Sequence, residues 1–244
     1  MFLAYGSLIG AVRHKGYIPW DDDIDVMMPR KDYERLLEIF PNHPYYKILH
    51  SGNEPNYTKT FATVNDIRTF KEEYTIRKKC KLALCLNIDI FPFDRFPDNP
   101  KEQATFVKGI KRRMKYQQCI TWKYTKGKTL TSTILKTLGI TWMRCLEILR
   151  LTSVNKIFKE YNRYIQKYNK SETLYCGCGE DVHSNNILLP SDIFNDYKDA
   201  DFEGLKFRIP TQYDRILTSQ YGDYMRLPPE AQRIPHHLCK CYWR

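Results

Sequence analysis

Apolar and polar positions recur along this chain with periods that separate its strands from its helices. Residues 2–5 and 24–28 are short apolar runs of strand length, the second interrupted by Asp25. After Pro29, a residue suited to the first turn of a helix, Tyr33, Leu36, Leu37 and Phe40 recur at helical spacing until Pro41 and Pro44 bound the segment. Residues 46–50 and 61–65 read as short strands on either side of a turn-rich stretch, with residues 66–69 continuing the second. Residues 82–93 form a further apolar strand, and Asp94 reads as a turn residue just past it. Beyond Pro100 the period becomes helical, over residues 101–124, 130–151 and 155–168. Residues 173–178 return to a strand, followed by a polar loop to Pro190 and a strand or hairpin over residues 202–210. Thr211 suits a helix N-cap, Tyr213, Ile216, Leu217 and Tyr221 supply an apolar stripe, and Gly222 ends the helix. This pattern predicts an α+β fold in one domain, residues 1–244. Residues 1–99 would form the sheet core, about 100–170 a helical subdomain, and 171–244 a closing element.

Composition narrows the classes. The chain has 244 residues, is 42% hydrophobic and 14% aromatic, which is a globular composition. Its net charge of +11 favours anionic partners: nucleotides, phosphate-bearing glycans, anionic lipid or nucleic acid. No run of about 20 apolar residues is present, so no transmembrane span is predicted. The opening Met-Phe-Leu-Ala-Tyr-Gly carries no signal-peptide pattern, so the expected location is the cytoplasm, free or peripheral at the inner face of the membrane. Eight cysteines in that setting read as reduced thiols. Cys176-x-Cys178 and Cys239-x-Cys241 are spaced more tightly than zinc ligands usually are.

The chemistry concentrates in Tyr5-Gly6-Ser7 and, beyond a basic Arg13-His14-Lys15, in Trp20-Asp21-Asp22-Asp23-Ile24-Asp25-Val26. In a strand, residues two apart face the same side, about 6.5–7 Å apart along the chain, so Asp23 and Asp25 aim together. Carboxylates that close repel unless a proton or cation lies between them, and hard divalent cations take oxygen ligands. An acidic cluster is commonly a solvated turn. Here the second Asp enters an apolar strand, where a charge needs a partner or a metal. Glycine at position 6 would let backbone N–H groups approach a phosphate.

These residues resemble a known signature. Gly-Ser, a spacer and Asp-Ile-Asp-Val are similar to the active-site pattern of the DNA polymerase β-like nucleotidyltransferases. The longer string from Tyr5 to Val26 resembles the LicD family within that superfamily, which includes the fukutin-type proteins. The resemblance implies a nucleotidyltransferase-type sheet and transfer of a phospho-alcohol unit from a CDP-linked donor to a glycan. It implies Mg²⁺ or Mn²⁺ held by Asp23, Asp25 and a third carboxylate. Asp89, in Ile88-Asp89-Ile90-Phe91-Pro92, matches that third position and would take the proton of the attacking hydroxyl; on the residues alone it could instead be a strand-end Asp facing solvent. Gly6 and Ser7 would receive phosphate oxygens, and Arg13, His14 or Lys15 would offset charge. Family members usually carry a helix before the first strand, so the expectation is a chain truncated or started late.

A second match, Tyr221-Gly222-Asp223-Tyr224-Met225-Arg226-Leu227-Pro228-Pro229 with Arg233 and His236, resembles the family's C-terminal signature. Asp223, Arg233 and His236 would contact phosphates or sugar hydroxyls, or form a structural cap. The expected reaction is phosphocholine transfer from CDP-choline to a surface glycan such as lipopolysaccharide, teichoic acid or capsule, releasing CMP. The alternatives are a nucleotidyltransferase acting on RNA or a small molecule, and a non-catalytic nucleotide-binding protein. The spacer of residues 13–20 argues against a nucleic-acid partner. The helices over 101–151 carry a dense basic block and an apolar stripe: either they pack on the core with a solvated basic side, or they lie against a membrane near a lipid-linked acceptor.

Overall fold

A computed structural model describes residues 1–55, 57–72, 77, 85–124, 127–183, 188–235 and 240–244. Its central strand is β6 (Leu86–Phe96), which runs parallel to β2 (Asp25–Pro29) on one side and antiparallel to β4 (Ala62–Asp66) on the other. Strand β1 (Phe2–Leu3) closes the β2 edge and β3 (Tyr46–Leu49) the β4 edge, so the sheet order is β1-β2-β6-β4-β3. The mixed sheet flanked by helices is the predicted α+β arrangement.

Strand β6 continues three residues past the end of its apolar run, to Phe96. Its far end pairs with β7 (Tyr175–Gly177), which in turn pairs with β8 (Leu189–Pro190). Asp94 is therefore not a turn residue. It lies inside β6 at 1% exposure and accepts two bonds from Arg30, at 2.7 and 2.6 Å. A buried carboxylate is tolerated in the strand because a guanidinium on the next element neutralises it. Arg30 opens α2 (Arg30–Ile39), whose Tyr33 reaches the core. Pro29 ends β2 and caps this helix rather than sitting within its first turn.

The main core joins the sheet to α2 and to the hairpin of β9 (Tyr197–Phe202) and β10 (Leu205–Pro210), through Leu3, Leu8, Met27, Ile90, Phe202 and Ile209. Helix α6 (Tyr213–Tyr221) adds Ile216 and Leu217 and ends at Gly222, whose φ of 68° suits glycine. Its N-cap is Gln212, not Thr211, and no side chain caps it. After β4 the chain turns at Ile67-Arg68 instead of continuing, and β5 (Thr69–Lys71) pairs with β11 (Cys241–Trp243).

The helical region comprises α3 (Pro100–Thr121), α4 (Leu130–Ile148) and α5 (Val154–Ile165). Each begins on an oxygen cap: Asn99 accepts from two backbone N–H groups, Thr129 forms a reciprocal box with Ser132, and Ser153 accepts from Lys156 N–H. Phe106, Ile110 and Met114 of α3 meet Tyr161 and Ile165 of α5, and Phe96 ties this second core to the sheet. Among the described residues, no helix is long and apolar enough to cross a membrane.

Candidate active site

The register of the parallel pair sets the site. Asp25 of β2 stands directly beside Asp89 of β6, and strands in a sheet lie about 4.8 Å apart. Two carboxylates carried by different strands are thus brought to one face at the start of β2. Burial pushes the Asp25 carboxyl up to about 8; the charges of Asp23, Asp89 and Asp21 raise it further and Lys59 opposes them. Asp89 is clasped by Lys59, whose Nζ donates to both carboxylate oxygens at 2.9 and 3.1 Å, and by the Asn87 amide. The neighbouring run Asp21, Asp22 and Asp23 brings its oxygens within 4.8 Å of one another. The donor set is wholly carboxylate and crowded with like charge, which fits a hard divalent cation.

The Gly-Ser pair is not a turn but the first turn of a short helix, α1 (Tyr5–Ile9), continued by a π-helical turn over Gly10–His14. Leu8, Ile9 and Ala11 are buried, so core packing draws this segment into helix. Tyr5 enters it at φ 47°, a left-handed conformation that a non-glycine residue adopts only when its surroundings enforce it. Ser7 is 3% exposed, and its Oγ accepts the Asp25 backbone N–H at 3.0 Å. Gly6 leaves room for Asp21: a Cβ there would stand 2.1 Å from Asp21 Oδ2, so the carboxylate would have to move. Ser7 thus fixes the start of β2, and Gly6 accommodates Asp21 in the loop before it.

Two residues of the motif, Arg13 and Trp20, touch the C-terminal match. Arg13 Nη1 donates to the Tyr224 and Arg226 carbonyls, holding the chain after α6 in place. Burial lowers the His14 pKa and the Arg13 charge lowers it further; its ring stands edge-on to Trp20. Lys15 is exposed and accepts Glu203 N–H at its carbonyl. Arg233 donates from Nε to Pro228 O at 2.8 Å and lies 5.5 Å from the Trp20 ring, one residue before Asp21. Asp223 is exposed, and its carbonyl accepts Arg226 N–H. His236 and Cys239 lie outside the described residues. Cys176 and Cys178 are buried, and burial pushes the Cys176 thiol up to about 12.

Three groups at the site, Lys59, Glu180 and Asp181, lack a sequence signal of their own. Lys59 sits in a polar loop. Glu180 and Asp181 lie on a 3-10 turn (Gly179–His183) that the sequence presents as another polar loop. The Thr60 hydroxyl donates to Glu180, and Tyr5 OH donates to Asp181 at 2.9 Å. Burial pushes Asp181 up to about 6, and Glu180 adds to the shift while Tyr5 opposes it. Tyr221 keeps 46% of its surface exposed, yet its hydroxyl is shifted upward, by desolvation first and then by Asp181, Asp25, Asp21 and Asp23.

The sequence profile described as the LicD/FKTN/FKRP nucleotidyltransferase domain matches residues 1–131, more than half of the chain. Along nearly its full length the chain is similar to the lipopolysaccharide cholinephosphotransferase LicD of Haemophilus influenzae, 32% identical over 247 residues covering 98% of this chain and 87% of that protein. The chain belongs to the LicD family. An uncharacterized protein of Rickettsia prowazekii is 50% identical over 96 residues, 38% of this chain and 32% of its own length. The LicD-family profile runs through α3 and ends at the start of α4, so the rest of α4, α5 and the residues beyond are matched through the Haemophilus relative.

Proposed function

We propose that this LicD-family chain is a transferase that moves phosphocholine from CDP-choline to a hydroxyl of a lipopolysaccharide-type surface glycan, releasing CMP. The observation that carries the reading is the placement of Asp25 beside Asp89 in the β2–β6 register, with Lys59 on Asp89. The name of the Haemophilus relative supports phosphocholine as the unit moved and lipopolysaccharide as the acceptor.

Asp23, Asp25 and Asp89 would hold Mg²⁺ or Mn²⁺, and the ion would supply positive charge against the donor pyrophosphate. The residues themselves do the rest. The acceptor oxygen attacks the phosphocholine phosphorus, the new O–P bond forms as the P–O bond to CMP breaks, and the electron pair leaves with CMP. Asp89 takes the hydroxyl proton, and Lys59 keeps its carboxylate oriented. Ser7 fixes the backbone of Asp25, while Arg13 anchors the segment that carries Arg226 and Arg233 toward the donor phosphates.

The experiment is transfer of labelled phosphocholine from CDP-choline to purified lipopolysaccharide, with CDP-ribitol and CDP-glycerol as rival donors. The reading predicts transfer from CDP-choline and loss of about 10³-fold or more in Asp25→Ala and Asp89→Ala, both still folded. Full turnover in either variant would remove the carboxylates from the mechanism. Nucleotide addition from CTP or ATP would replace the reading with nucleotidyl transfer.

A further inference from the structure

Helix α4 is amphipathic with its apolar side outward. Leu130, Ile134, Leu138, Trp142, Ile148 and Leu149 share one side of the helix and its C-cap, and Leu130, Leu138 and Trp142 keep 78%, 61% and 64% of their surface exposed. That sector contains no charged residue; Thr131, Thr141 and Cys145 fill its gaps. Of its three charged residues, Lys136 is exposed on the side away from this sector, and Arg144 and Glu147 are turned toward the rest of the protein. Arg144 stacks on Tyr124 at 4.1 Å and donates to Trp122 O, Glu147 accepts from Arg77 at 2.9 Å, and Ile140 and Met143 make the contact with the rest of the protein. A helix meant for water would carry the opposite arrangement. The exposed sector continues past the helix end to Leu151 and adjoins a groove of about 430 Å³ between α3 and α4, walled by Tyr116, Trp122 and Met143 with Lys115 and Lys136 at its edge.

Charge decides what covers this face. Residues 101–150 hold twelve Lys and Arg against two acidic residues, ten of the net eleven positive charges of the chain. Lys108, Lys111, Arg112, Lys115, Lys123 and Lys128, on α3 and on the connection to α4, are exposed, and Lys115 lines the groove beside α4. A second copy would bring the same positive charge against it and be repelled. An anionic bilayer offers the complement: acyl chains for the leucines, an interfacial level for the tryptophan and tyrosines, and phosphates for the lysines and arginine.

We infer that the apolar face of α4 lies in the interface of an anionic phospholipid bilayer, with the basic side chains of α3 and the α3–α4 connection at the headgroups. The helix lies along the surface and does not span it. The inference is independent of the donor and acceptor proposed above, since it rests on residues remote in sequence from the acidic motif.

Vesicle flotation with the full chain tests it, using vesicles of phosphatidylglycerol and phosphatidylcholine against vesicles of phosphatidylcholine alone. The expected result is binding to the mixed vesicles that weakens as salt rises, and that falls by about tenfold or more in Leu138→Glu/Trp142→Glu. Both side chains are exposed, so this variant keeps its fold, shown by an unchanged urea midpoint. A second variant, Lys111→Glu/Arg112→Glu, weakens binding to the mixed vesicles without touching the apolar face. Phosphocholine transfer to a delipidated glycan stays unchanged in both, which separates this inference from the proposed reaction. Absence of vesicle binding by the native chain overturns it. Equal binding by the double glutamate variants overturns it as well, and a dimer abolished by Leu138→Glu/Trp142→Glu reassigns the face to a second copy.

Discussion

The Ser7 hydroxyl accepts the backbone N–H of Asp25 at 3.0 Å, joining the first half of the motif to the strand that carries the second. Eighteen positions separate the two residues, yet one hydrogen bond fixes the point at which the acidic loop becomes strand β2. Ser7→Ala leaves the Asp25 N–H without this acceptor in a segment that is largely buried. The expected loss is about 1–3 kcal/mol of stability by urea denaturation. Turnover should fall further than stability accounts for, because Asp25 loses its register against Asp89. A Ser7→Ala protein with native kcat would show that the bond serves folding alone.

Arg30 and Asp94 form a second buried pair, closed by two bonds and removed from water. Removing either partner strands a charge in the core, so Arg30→Met or Asp94→Leu should each cost about 3–5 kcal/mol. The double variant Arg30→Met/Asp94→Leu should recover most of that, since neither charge then remains. Urea denaturation of the three variants gives the coupling directly. Additive losses would mean that the pair is not a unit.

Asp25 makes stability depend on pH with a defined sign. Its carboxyl titrates at about 8 in the folded chain instead of the ordinary 3.8, so across that interval the folded state holds a proton that the unfolded state has released. By linkage, stability of the metal-free protein falls as pH rises from about 4 to about 8. Asp25→Asn removes this contribution and should be the more stable protein at pH 8 in EDTA. A shallower slope of the same sign should persist in the variant, because Asp181 is pushed up to about 6. Urea midpoints at pH 5 and pH 8 measure both; a native chain that gains stability over that range would contradict the assignment.

The sequence made the acidic motif legible because Asp25 interrupts an apolar strand and Asp89 another, where a charge needs a use. It did not show that Ser7 would turn inward or that Gly6 makes room for Asp21, since both follow from how α1 packs against the strand. Lys59, Glu180 and Asp181 stayed hidden because polar loops give no period, and only the tertiary fold brings them to the sheet. Asp94 is misleading for a related reason: at the end of an apolar run it reads as a turn residue, and its partner Arg30 lies 64 positions away. The helical stripe over 130–151 was plain as a pattern, but a period does not say whether the core or the solvent receives it. Capping placed α4, and the packing of Ile140 and Met143 turned its other side out.

Thermal stabilisation by CDP-choline, with and without Mg²⁺, tests the central claim most directly. The account predicts a rise in Tm with CDP-choline and Mg²⁺ together, a smaller one with either alone, and no joint rise in Asp25→Ala. CDP-ribitol and CDP-glycerol should stabilise less than CDP-choline. A rise with CTP or ATP that exceeds the one with CDP-choline, or a joint rise that survives in Asp25→Ala, would contradict a carboxylate-held site for a CDP-linked alcohol.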